Sequence, residues 1–193
     1  MSIRAIRAIR ALCAVGTFAL VPAVVGAQDA RPISVGVMGG LSLPMGDLAD
    51  GVESGYNITG NIYFRPGTSR LTFRGDVGYE SFSAKGSNNI AGVDLNVLSV
   101  TGNVMFPLGS MVAEGGIRPY LIGGGGLYRI KAEGTGVASG AESDASNDLG
   151  IAVGGGVEFK LAGFTTFGEA RFVNVFGDGA STRWIPVTFG IRF

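Results

Sequence analysis

The sequence predicts an all-β protein: an eight-stranded antiparallel up-and-down transmembrane β-barrel, preceded by a cleavable signal peptide. Three observations predict it. Apolar residues recur at every second position in one segment after another. Charged residues make up 16% of the chain, against about 25% in soluble domains. No apolar run beyond the leader approaches the roughly 20 residues of a spanning helix.

Residues 1–27 read as the signal peptide. Arg4, Arg7 and Arg10 form its basic start, Ala11 to Val25 its apolar stretch, and Val25-Gly26-Ala27 a small-residue exit, so cleavage is expected near Ala27. Pro22 and the shortness of the stretch argue against a membrane anchor. Residues 28–193 form the barrel domain. Loss of the three leader arginines leaves 12 basic against 15 acidic residues with no basic cluster, so nucleic-acid binding is not expected. Cys13, the single cysteine, lies in the leader, and neither a disulfide nor a lipid anchor is indicated.

Strand one sets Ile33, Val35, Val37, Gly39, Leu41 and Leu43 on one face against Ser34, Gly36, Gly40 and Ser42. Strand two carries Tyr56, Ile58, Gly60, Ile62 and Phe64 outward, and Arg65-Pro66-Gly67-Thr68-Ser69 turns the chain. Strand three alternates most cleanly, with Leu71, Phe73, Gly75, Val77 and Tyr79 against Thr72, Arg74, Asp76, Gly78 and Glu80. In strand four Leu98, Val100, Gly102, Val104 and Phe106 face away from Ser99, Thr101 and Asn103, and Pro107 to Gly116 is the next turn. Strand five runs from Arg118 to about Lys131, where the run Gly123 to Gly126 leaves the phase ambiguous; Tyr120, Ile122, Tyr128 and Ile130 are assigned outward. Residues 132–147 hold almost no large apolar side chain and read as the longest exposed loop. Strand six offers Leu149, Ile151, Val153, Gly155, Val157 and Phe159. Strand seven offers Phe164, Gly168, Ala170, Phe172 and Phe176, and strand eight Ile185, Val187, Phe189, Ile191 and Phe193.

A soluble barrel would show the same alternation, so other features must choose the solvent. The strand charges are sparse and of mixed sign, as in the interior of a narrow barrel. Aromatic residues stand near strand ends, namely Tyr56, Phe64, Tyr79, Phe106, Tyr120, Phe159, Phe164, Phe176, Trp184 and Phe193, which suits two interfacial girdles. Connections alternate between short turns and longer loops, so the loops near 44–55, 83–93, 132–147 and 177–183 are expected outside and both termini in the periplasm. Hydrocarbon offers backbone groups no partner, so closure is obligatory. Eight strands leave room for side chains and none for a wide pore.

Ordered motifs carry a resemblance over nearly the whole mature chain. They are Leu43-Pro44-Met45-Gly46-Asp47-Leu48-Ala49, Arg118-Pro119-Tyr120-Leu121, Gly168-Glu169-Ala170-Arg171-Phe172 and the end Ile185 to Phe193. The chain resembles the OmpA/OmpX-like outer-membrane β-barrel domain family. The resemblance implies a small monomer in the cell outer membrane of a Gram-negative cell envelope, in contact with outer-membrane lipid and lipopolysaccharide. It also implies delivery by periplasmic chaperones and insertion by the barrel assembly machinery. Phe189, Ile191 and Phe193 look like the assembly signal that this machinery reads. No catalytic activity comes with the resemblance. With the chain ending at Phe193, no peptidoglycan-binding domain is expected.

The sequence contains no histidine, the residue most used for proton transfer near neutral pH. The barrel enzymes of the outer membrane rely on one, so no enzyme activity and no cofactor are expected. The lumen charges Arg74, Asp76, Glu80, Glu158, Lys160, Glu169, Arg171 and Arg192 are expected to pair across strands. They could line an ion or proton path or form a satisfied interior network; the cost of an unpaired buried ion favours the network. Asp47, Asp50 and Glu53, or Glu142, Asp144 and Asp148, fit no compact calcium loop. Gly123 to Gly126 lacks the following lysine of a phosphate loop. The functional expectation is a structural and surface-interaction barrel. A narrow porin-like channel for ions or small solutes is the alternative, and a soluble lipocalin-like carrier a third reading.

Overall fold

The computed structural model describes residues 32–67, 69–85, 92–109, 116–135, 145–177 and 181–193. The leader, 1–27, and the parts of the loops at 86–91, 136–144 and 178–180 lie outside the described residues.

Eight strands follow in chain order: β1 (Ile33–Met45), β2 (Gly55–Phe64), β3 (Thr72–Phe82), β4 (Gly92–Pro107), β5 (Ile117–Thr135), β6 (Ser146–Leu161), β7 (Phe164–Phe176) and β8 (Ser181–Arg192). Each pairs antiparallel with its neighbours in sequence, and β1 closes on β8 through pairs such as Val37↔Ile191 and Leu41↔Val187. Closure removes the free edge that would otherwise expose unpaired N–H and C=O groups. The turns after β2, β4 and β6 define one end of the barrel, here the turn end. The opposite end carries the longer connections and is the loop end.

The alternation of the sequence becomes two surfaces of opposite chemistry. Val35, Leu41, Ile58, Val77, Val100, Leu121, Ile151 and Val187 are all exposed on the outer wall. Arg74, Asp76, Glu158 and Glu169 are buried inside. Outward aromatics gather at both rims: Phe64, Phe73, Phe106 and Phe193 at the turn end, Tyr56, Tyr79 and Phe176 at the loop end. Tyr56 and Tyr79 lie 6.5 Å apart across the β2–β3 pair.

Three expectations are corrected. β5 takes the opposite phase: Tyr120, Ile122 and Tyr128 are buried in the lumen, Ile130 packs against its apolar cluster, and Ile117, Leu121 and Leu127 face out. Trp184 belongs to no girdle; it is fully buried inside the barrel. β5 also continues to Thr135, and β6 begins at Ser146, so the third loop is shorter than 132–147. The extension is a backbone matter. β4 and β5 stay paired through Asp94↔Glu133 and Gly92↔Thr135, because ladder hydrogen bonds join backbone groups and do not require apolar side chains.

The first connection folds back on the barrel. A short helix, α1 (Asp47–Gly51), precedes Val52, which forms a bridge with Ala84. Glu53 N donates to Ser83 O at 2.8 Å and Lys85 N to Gly51 O at 3.0 Å. Val52 is thereby buried against the lumen side chains below it.

Candidate functional site in the barrel lumen

The lumen is filled in three tiers. The middle tier is an ion cluster. Arg74 on β3 reaches across to β7, donating from both terminal nitrogens to Glu169 at 2.8 Å each. The same guanidinium lies against Asp76, with Nε 2.9 Å from Oδ1. Arg171 closes the group, 3.1 Å from Asp76 Oδ2 and 3.1 Å from Glu169 Oε1. Two cations and two anions thus share one neutral cluster.

Neutral donors satisfy its remaining acceptors. Tyr120 donates its hydroxyl to Glu169 at 2.6 Å. Asn61 and Asn103 donate to Asp76 at 2.9 and 3.1 Å. These donors matter because a buried ion is tolerable only when it is paired and its lone pairs are largely engaged; Arg74 Nε faces Asp76 as an ion pair without hydrogen-bond geometry, and the amide oxygens of Asn61 and Asn103 accept no bond.

The turn-end tier is built on Glu158. Arg118 Nε donates to it at 3.0 Å and a terminal nitrogen of Arg118 also contacts it, while Arg192 donates at 2.8 Å. The Tyr63 ring lies between the tiers, with the Arg192 and Arg74 guanidiniums 5.1 and 5.8 Å from its centroid. Both distances lie within cation–π range.

The loop-end tier is apolar. Trp184, Phe82, Val97, Tyr128, Ala152, Val173 and Val175 form one buried cluster, closed from above by Val52 and Leu48. Phe82 and Tyr128 meet the Trp184 ring edge-on at 6.2 and 5.8 Å. Aromatic pairs favour this arrangement.

The eight charges singled out in the sequence therefore divide. Arg74, Asp76, Glu169 and Arg171 join in one cluster. Glu158 and Arg192 join in another with Arg118, which the sequence does not single out as a lumen charge. Lys160 is half-buried near the turn end. Glu80 belongs to neither cluster: its carboxylate accepts from Ser42 Oγ at 3.1 Å, and Asn57 donates to that hydroxyl at 3.0 Å. Of the lumen guanidiniums, that of Arg171 acts on the Glu80 carboxylate, through space rather than by a direct ion pair. Among the described residues no three potential metal ligands gather. Phe189 on β8 and Phe193 just past its end are exposed on the outer wall, and Phe193 N donates to Val35 O at 2.8 Å across the seam.

Arg118 and Tyr120 were within reach of the sequence. They are two residues apart and so share a face, and an arginine within the strand marks that face as the lumen. Outward assignment of Tyr120 overlooked this pairing.

A closed barrel with an apolar exterior and an ionic interior reverses the distribution that water imposes, and it defines the protein as a transmembrane β-barrel. No known family matches the sequence, and no curated protein is similar to it at a significant level. Solved structures do match. Neisserial surface protein A aligns with a TM-score of 0.59 and 16% identity, covering 84% of this chain and 96% of that one. A major outer membrane protein from Thermus thermophilus aligns at 0.57 with 10% identity, covering 84% and 99%. Ail, the attachment invasion locus protein of Yersinia pestis, solved with the heparin analogue sucrose octasulfate, aligns at 0.51 with 16% identity, covering 83% and 97%. At these identities the likeness is one of fold: the chain has the fold of small outer-membrane β-barrels.

Proposed function

We propose that the protein is a small integral outer-membrane barrel with a structural and surface-interaction role, its lumen sealed against ions and solutes. The filled lumen carries this reading. An ion entering from the loop end meets the Trp184 cluster, where Phe82, Val175 and Trp184 are each 0% exposed, and passage there requires it to give up its water against apolar side chains. Below it, the four-residue ion cluster is neutral and its guanidiniums are already engaged. Planar-bilayer recording of the refolded protein should give a silent membrane; discrete, stable conductance would favour the narrow-channel alternative and sink the sealed reading.

In this reading the short turns face the periplasm and the loops face outward, with lipopolysaccharide against the upper outer wall. The partner chemistry of Ail does not come over with its fold. The four connections at 44–55, 83–93, 132–147 and 177–183 hold seven carboxylates against two cations, Lys85 and Arg183, a net negative composition that repels a sulfated polyanion.

Phe189, Ile191 and Phe193 serve as the assembly signal on β8, the strand that completes closure. Deleting Phe193, or replacing it with aspartate, is expected to lower outer-membrane yield more than any loop substitution. Equal yield of the heat-modifiable band in membrane fractions would refute that role.

A further inference from the structure

Among the described residues positive charge is in excess at the turn end. The β2–β3 turn brings Arg65, Ser69 and Arg70, and the β4–β5 connection brings Pro107, Gly109 and Arg118, around one pocket of about 260 Å³. Arg192 stands nearby, sharing Glu158 with Arg118. Among the described residues Glu158 is the one carboxylate paired with any of these four guanidiniums. Both of its oxygens are engaged, Oε2 by Arg118 and Oε1 by Arg192.

Arg65 and Arg70 form no ion pair among the described residues, and Glu158 reaches Arg65 only through space. Arg65 is held in place by a bond from its Nε to Thr72 Oγ1 at 3.1 Å, which leaves both terminal nitrogens uncommitted. Burial, and then the charges of Arg118 and Arg192, push its pKa below the usual arginine value, with Glu158 offsetting part of that effect. A bound anion would relieve that repulsion. The outward Phe64, Phe73 and Phe106 stand at the same rim, and aromatic girdles mark the level of the lipid headgroups.

We propose that this mouth binds a phosphate group, gripped by Arg65 and Arg70 and backed by Arg118. Guanidinium forks match phosphate oxygens in a bidentate way, and the pocket opens at headgroup height. The phosphate could belong to an anionic phospholipid of the inner leaflet or be free inorganic phosphate. The lipid source rests on the reading that the turns face the periplasmic leaflet.

The test uses the refolded full barrel in phosphatidylcholine nanodiscs with and without phosphatidylglycerol. Native mass spectrometry after release counts retained lipid, and a ³¹P NMR titration in zwitterionic micelles reads inorganic phosphate. Wild type is expected to prefer phosphatidylglycerol about tenfold, the scale of a charge-assisted pair. Arg65→Gln/Arg70→Gln is expected to lose that preference, and Arg129→Gln, an exposed arginine toward the loop end, to keep it. Phosphate binding that is lost in the double variant, without lipid preference, assigns the site to the free anion. No binding in either arm, or binding unchanged in the double variant, overturns the proposal. Heat modifiability and bilayer silence are recorded on the same samples. A silent, folded barrel without phosphate binding refutes this site alone, whereas a conducting one refutes the sealed lumen.

Discussion

Gly40→Val is expected to abolish the closed barrel, while Gly60→Val is expected to fold like wild type. Both glycines lie in strands that pair with each other, but they face opposite solvents. Gly40 sits at the seam, facing inward, where an added Cβ would lie 2.0 Å from Val187 O and 2.8 Å from Thr188 Cα. Rotamer change cannot relieve a clash with backbone, so β8 would have to move away from β1 and forfeit closing hydrogen bonds. Overpacking a tight site costs about 1–3 kcal/mol when side chains can adjust; here the cost lies at or above that range. Gly60 points outward, and nothing lies within 4 Å of its added Cβ. Gel migration before and after boiling checks the pair: a heat-modifiable Gly40→Val band would show that the seam is more tolerant than its geometry.

Arg74→Met is expected to destabilise the barrel by about 3–5 kcal/mol, the cost of leaving a buried ion pair half-broken. Arg74 is 1% exposed and touches both acids of the cluster. Its removal leaves Asp76 and Glu169 competing for Arg171. Adding Glu169→Gln restores charge balance with Asp76 and Arg171 still paired, so the double variant is expected to be more stable than Arg74→Met. Trp184, the only tryptophan of the chain, lies in the lumen and reports unfolding in urea without a label. A double variant as unstable as the sum of its two single changes would show that Arg74 and Glu169 do not act as a unit.

Strand number, outward faces and the identity of most lumen charges were legible because seven strands keep an apolar and a polar row in contrast. β5 loses that contrast. Gly123 to Gly126 place no side chain on either face, and the phase must then be carried across from residues at the two ends. Tyr120, Ile122 and Tyr128 look like lipid-facing residues, yet they point into a lumen whose upper half is itself apolar. Trp184 misled for a different reason. It shares the phase of Pro186 and Thr188, which marks it as inward, but its position near a strand end invites assignment to the girdle.

Glu169 and Arg171, two residues apart, share a face and do meet, but which charges would meet across strands was not legible. Arg74 and Glu169 are 95 residues apart, on strands that are not neighbours in the sheet. Their meeting depends on strand tilt and stagger around the closed barrel, which no local pattern encodes. Arg118 escaped because the glycine run left the phase of β5 open, and the outward phase chosen for Tyr120 put the arginine on the wrong face.

The first outer connection is held to two tasks at once. In the proposed orientation Leu48 and Val52 stand at the face the cell presents to its surroundings, yet they stopper the apolar tier around Trp184, and the bridge from Val52 to Ala84 fastens the connection there. A surface under pressure to change its appearance, by antigenic drift or host tracking, would therefore find this connection the hardest to rewrite. A hydrophilic replacement at Leu48 or Val52 would alter the epitope and unseat the stopper together. Diversification at the outer face should accordingly be steered toward the other connections, with the first kept nearly fixed by the interior it covers.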